Sequence, residues 1–239
     1  RTALPSIDHL DDEETLGNYL RKNGYSHEFI YHYLIPMAAA IWSAEPGSVL
    51  EMPVRFLVRF FDNHGLLQIS DRPIWRVIKG GSREYVGKLV AGHRDRIRLN
   101  SPVQSIRRID DRVEVHSATG GTESFDYVFV ACHSDQALSL LKDPTPAERQ
   151  VLGTIQYQSN EAILHTDASL MPKRRCAWAA WNYHIPRDSS RHVAVTYNMN
   201  ILQGLDANKQ YLVTLNNDRH IDPDKVIRTV QYAHPVFPR

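Results

Sequence analysis

The hydrophobic period of this chain changes once, near Leu66, and that change divides what it can fold into. Up to Gly65 the apolar residues recur at helical spacing, and beyond it they mostly alternate as in strands. The stretch "DDEETLGNYLRKNG", residues 11–24, predicts a helix with acids in its first turn, Arg21 and Lys22 in its last, and Gly24 as its stop. Ser26 is the predicted cap of a second helix running through Ile41 and bent or broken at Pro36. A third follows Glu51, with Pro53 in its first turn and Val54, Leu57, Val58 and Phe61 on one face. From Leu66, "LLQIS" and "IWRVI" around "DRP" predict a short hairpin. Gly80-Gly81 is a corner, and Ser82 caps a helix carrying Tyr85, Val86 and Leu89. "VQSIRRI" and "RVEVH" read as strands joined at Asp110-Asp111, followed by a tight turn at "TGG". The apolar run "YVFVAC" suits a central strand covered on both faces, and a helix from about Ser134 to Leu141 follows it. Beyond Pro144 and Pro146, "IQYQSNEAILHT", "CAWAAWNYHI", "HVAVTYNMN" and "QYLVTLNN" predict an antiparallel sheet. The fold class expected is α/β with α+β character.

A formal net charge of +1 argues against a dedicated nucleic-acid binder, which needs a concentrated basic surface. With 42% hydrophobic and 23% charged residues the chain has the make-up of an ordered globular protein. Its most apolar stretch, residues 30–42, contains His32 and Pro36 and falls short of the about 20 apolar residues of a membrane span. Cys132 and Cys176 belong to no C-x-x-C pair, which fits buried thiols in a reducing, cytoplasmic compartment. The sequence opens on Arg1 and closes on "YAHPVFPR", and it reads as a portion of a longer polypeptide.

None of the 12 glycines lies two residues from another, so the dinucleotide fingerprint G-x-G-x-x-G is excluded, and Gly87-Lys88 runs into Leu89, not Ser or Thr. His27 and His32 are five apart, off the i, i+4 spacing of a helical zinc pair; His184 and His192 sit on candidate neighbouring strands, and no metal site is expected. A nucleophile elbow is absent, and the paired acids sit at a helix start or a turn. The aromatics are more suggestive. Trp181 and Tyr183 share a strand face and Trp178 takes the other, and with Trp42, Phe61 and Trp75 they could pack as core or line an apolar pocket.

The order of Gly80-Gly81, a helix, then Asn100, Val103 and Ile106, a hairpin, and Asp126, Tyr127, Val128 and Ala131 resembles the middle of flavin-dependent amine oxidases and phytoene desaturase-type oxidoreductases. With "IPMAAAIWSAEP", "FFDNHGLL" and "PIWRVIKGGSREYV", the wider chain is similar to a bacterial subgroup of FAD-binding, amine-oxidase-like proteins associated with cyclopropane fatty acid synthase. The resemblance implies a discontinuous FAD/NAD(P)-binding domain, here residues 80–143, whose phosphate-binding glycine motif lies outside this sequence. Residues 1–79 and 144–239 would form the helical and sheet parts of a substrate domain. Pro102 and Val103 would meet the adenine end of FAD through the backbone, with Ala131, Cys132 and His133 near the cofactor at a strand end. His64, Trp75, Trp181 and Tyr183 would line the pocket of a small or lipid-like substrate losing a hydride from a C–N or C–C bond. No residue receives an acid or base role, and the present chain alone would be inactive. The rival reading is a non-catalytic module for an apolar or lipid ligand.

Overall fold

The computed structural model describes residues 11–42, 44, 46–68, 70–71, 73–185, 194–216 and 221–236. The chain divides into two compact units, residues 1–82 with 157–239, and residues 83–156.

The larger unit begins with helices. Thr15 caps α1 (Leu16–Lys22), its Oγ1 accepting the Asn18 N–H at 3.3 Å. The acids therefore precede the helix instead of filling its first turn. Their segment is clamped elsewhere, with the Leu16 N–H on Met52 O at 2.8 Å and the Val54 N–H on Glu14 O at 3.0 Å. Ser26 caps α2 (His27–Phe29), accepting the Phe29 N–H at 3.2 Å. The helix then continues without a break through a π-helical turn (Ile30–Leu34) into α3 (Ile35–Trp42). Pro36 thus does not break it. A proline ring clashes with the carbonyl four residues back, and a wider turn, in which the Ile35 N–H reaches Ile30 O, relieves that clash just ahead of it. α4 (Pro46–Glu51) and α5 (Val54–Asn63) complete the set, burying Leu16, Ile35, Val49 and Val54 almost completely. Each such aliphatic side chain contributes about 1.5–3 kcal/mol by leaving water.

The predicted hairpin at residues 66–78 does not form among the described residues. Ile74 and Trp75 are instead 81% and 71% exposed, because two short strands without a third or a covering helix do not hold in water. The antiparallel sheet does form. Its strands are β4 (Gln156–His165), β5 (Trp181–His184), β6 (Ala194–Asn198), β7 (Leu212–Leu215) and β8 (Val226–Val236), in the order β5-β6-β7-β4-β8. The pairs β5–β6, β6–β7 and β4–β7 are antiparallel. Register places Tyr183, Val195 and Leu215 in one row and Asn182, Thr196, Thr214 and Ile163 in the next, on opposite faces. The first face packs on the helical core through Tyr183, Val195 and Tyr197. The second is a layer of buried polar side chains.

The smaller unit holds α6 (Arg83–Leu89), an antiparallel meander of β1 (Val103–Ile109), β2 (Arg112–Ser117) and β3 (Gly121–Phe125), then α7 (Ser134–Leu140) and α8 (Pro146–Thr154). Asp110 makes the first turn in the left-handed region, at φ 51°. The run "YVFVAC" is not the central strand expected of it. β3 ends at Phe125, and residues 127–131 belong to no ladder, with Tyr127 85% and Phe129 96% exposed. A central strand needs neighbours on both sides, and none of the described strands lies beside this one. Cys132, in that uncovered segment, and Cys176, in a surface 3-10 turn (Arg175–Ala177), are exposed, contrary to the expectation of buried thiols. α8 was not foreseen. Thr145 and Glu148 close a capping box around Pro146.

Candidate functional site

The candidate cofactor residues lie at two places in the smaller unit. Pro102 and Val103 open β1, where the Pro102 carbonyl accepts the Ala118 N–H at 3.0 Å and Val103 stands opposite Ser117. A register shift between Val103 and Ser105 bends the strand there, and Val103 is left exposed. Ala131, Cys132 and His133 close the uncovered segment and enter α7, with the His133 N–H on Gln136 Oε1 at 3.3 Å. Of these residues Pro102, Val103, Ala131 and Cys132 are exposed, in a sequence that lacks the G-x-G-x-x-G motif for dinucleotide phosphates. An open depression of about 650 Å³ on the polar face of the meander, lined by Ser105, Arg107, Glu114, His116, Thr122 and Lys142, includes none of them.

The candidate pocket residues lie in the larger unit. His64 caps the C-terminus of α5 and its Nδ1 contacts the Phe60 carbonyl at 2.7 Å, so Nδ1 carries the proton. Its ring stacks on Phe60 at 3.9 Å, and Trp75 lies nearly parallel at 6.2 Å. The row continues through Trp42, 4.7 Å from Phe60 and 5.7 Å from Phe56. Trp181 meets Tyr197 edge-on at 5.4 Å. Tyr183 and Tyr197 pack on the same helical core as Trp42 and Phe60, and burial raises both phenols above their ordinary value, keeping them neutral. The structure thus brings His64 to Trp75, and Trp181 to the same sheet face as Tyr183. Phe56, Phe60 and Tyr197 were missed because aromatics at helical or strand spacing read as core. Trp178 stands apart, donating to the Pro172 carbonyl at 2.7 Å under the Arg175 guanidinium.

The spacing of His27 and His32 predicts no shared helix face. His27 and His32 nonetheless approach to 5.9 Å, because the π turn beside them winds wider than an α-helix. His192 lies outside the described residues, whereas His184 does have a partner, Thr196, on the neighbouring strand. Among the described residues no group of three or more His, Cys, Asp or Glu side chains is placed to hold a metal ion.

A family model described as flavin containing amine oxidoreductase matches residues 6–190, more than half of the chain. The chain belongs to the flavin-containing amine oxidoreductase family. Solved structures share its fold at low identity. A CLA-producing fatty acid isomerase from P. acnes aligns with a TM-score of 0.63 at 14% identity, over 96% of this chain and 56% of that one. A putrescine oxidase variant, A394C, aligns at 0.60 and 13% identity, over 91% and 47%. A triple mutant of putrescine oxidase aligns at 0.59 and 12%, over 93% and 49%. The chain therefore spans about half the length of these structures. No curated protein matches it in sequence. Membership in this family does not favour the non-catalytic ligand-binding reading. No described helix is long and apolar enough to cross a membrane.

Proposed function

We propose that this chain is the central portion of an FAD-dependent oxidoreductase that removes a hydride from a C–N or C–C bond of an apolar, lipid-like substrate. The observation that carries the reading is the uncovered segment at residues 127–131, which precedes α7 with Tyr127 and Phe129 in solvent. A segment of that kind is the middle strand of a sheet whose other strands come from elsewhere in the polypeptide. On this reading the smaller unit is part of the cofactor domain. Pro102 and Val103 meet the adenine end, and Ala131, Cys132 and His133 border the cofactor where the segment ends. The flavin, when bound, accepts the hydride, while the chain's own residues hold and desolvate the substrate.

The fold is shared by a fatty acid isomerase and by putrescine oxidase, so the choice of substrate falls to the side chains. Among the described residues the aromatic row of Phe56, Trp42, Phe60, His64 and Trp75 joins ring to ring with no carboxylate as a member, and it favours an acyl or other apolar chain over a diamine. Trp181 and Tyr183 extend the same apolar character on the sheet. The test is anaerobic mixing of the flavin-loaded, full-length protein with unsaturated fatty acids and, separately, with aliphatic amines. Bleaching of the flavin by the fatty acids alone supports the reading. Bleaching by amines alone overturns the substrate class while leaving the flavin chemistry intact.

A further inference from the structure

The buried polar face of the sheet carries one unbroken chain of hydrogen bonds across four strands. His165 Nε2 lies 2.8 Å from Thr214 Oγ1, Thr214 Oγ1 lies 2.8 Å from Thr196 Oγ1, and Thr196 Oγ1 lies 2.9 Å from His184 Nε2. His165, Thr214 and Thr196 are completely buried, on β4, β7 and β6. His184 is half-buried at the end of β5.

The direction of this chain is fixed at its inner end. The Asp167 backbone N–H, which can only donate, reaches His165 Nδ1 at 3.1 Å. His165 Nδ1 must therefore offer a lone pair, and the ring proton sits on Nε2. Burial pushes the His165 imidazole below its ordinary value, against the pull of the Asp167 carboxylate, so the ring is neutral. His165 then donates to Thr214. Among the described residues Thr214 has no other partner than Thr196 for its hydroxyl hydrogen, and a fully buried hydroxyl left without one is strongly disfavoured. Thr214 accordingly donates to Thr196. By the same accounting Thr196 donates to His184 Nε2.

We infer that His165, Thr214 and Thr196 are positioning residues that hold His184 as the tautomer with its proton on Nδ1. The chain does not conduct protons, because its inner end stops at a backbone N–H that releases none. It is an orienting device. Three buried groups present at the sheet edge one imidazole whose Nε2 lone pair is committed and whose N–H has a fixed place. The inference stands independently of the flavin reading.

The test is a ring-nitrogen correlation spectrum of the ¹⁵N-histidine-labelled protein at about pH 8, where an ordinary imidazole is neutral. Loss of one signal set in His184→Gln assigns it. The expected result is a protonated Nδ1 and a bare Nε2 on His184. Thr214→Val, which touches no atom of His184, frees Thr196 to accept instead of donate. It should raise the Nε2–H share of His184 above its wild-type level. Thr214→Ser keeps the hydroxyl, should keep the wild-type tautomer, and shows that any change in Thr214→Val comes from the lost hydroxyl and not from a disturbed fold. A wild-type His184 protonated on Nε2, or an unchanged tautomer in folded Thr214→Val, would overturn the inference.

Discussion

Replacing Asp167 by Asn tests whether the polar layer under the sheet is held by charge. The Asp167 side chain is only 4% exposed. Its Oδ1 accepts the Ser169 N–H at 3.2 Å and Lys225 Nζ at 3.2 Å, and its Oδ2 accepts the Asp222 N–H at 3.0 Å. Burial alone would raise this carboxyl, but the Asp222 N–H, the Ser169 contacts and Lys225 outweigh it, so the group lies well below the ordinary carboxylate range. An amide can satisfy only one of the two backbone donors. The other is left buried against an NH₂, at about 1–3 kcal/mol, and the surviving bond loses its charge assistance, at about another 1 kcal/mol. The Lys225 share is small, because that side chain is 45% exposed and retains Asp222 at 3.2 Å. Asp167→Asn should therefore destabilise by roughly 2–4 kcal/mol, a loss of about 5–15 °C in melting temperature for a unit of this size. A depressed folded value means stability that is present above the ordinary carboxyl value near 4 and is lost as pH falls toward the lower, folded one. The gap between wild type and variant should then narrow by up to about 1.4 kcal/mol per pH unit below about pH 4. Urea titrations at neutral pH and near pH 3 read both quantities. A neutral-pH gap under about 1 kcal/mol, or one that does not change with acid, refutes the reasoning.

Three further substitutions each test a single position. Gly65 has φ +63°, and an added Cβ would lie 2.5 Å from Pro73 Cδ, so Gly65→Ala should lower stability by more than about 1 kcal/mol in the same urea titration. Thr145→Ala removes the side chain that accepts the Glu148 N–H at 3.2 Å, and should cost about 1 kcal/mol, with amide exchange accelerated in the first turn of α8. Phe129→Lys should leave the melting of the present chain unchanged, since the side chain is 96% exposed, yet lower the flavin content of the full-length protein. Equal flavin content in both would remove the uncovered segment from the cofactor domain.

The helices were legible because their signals are local. Ser26 and the apolar face of Val54, Leu57, Val58 and Phe61 act within one or two turns. The π turn was not, because Pro36 shows only that the helix must adjust and not whether it breaks or widens. α8 was written in the sequence as Thr145, Pro146 and Glu148, but the two nearby prolines also read as an end to helix. The segment at residues 127–131 has the composition of a buried strand, and composition cannot say whether neighbouring strands are present. For the site, Trp181 and Tyr183 share a face because strand alternation dictates it, and His64 caps a predictable helix end. The hydrogen-bond chain from His165 to His184 was out of reach. It exists only in one register of four strands, and a shift by one residue would turn Thr196 and Thr214 to the other face.

The measurement that bears most directly on a flavin-dependent oxidoreductase is the absorbance spectrum of the full-length protein, purified beside the present 239-residue chain. Flavin bands at about 375 and 450 nm in the full-length protein, and none in the shorter chain, are the predicted result. A colourless full-length protein that also takes up no added FAD would contradict it.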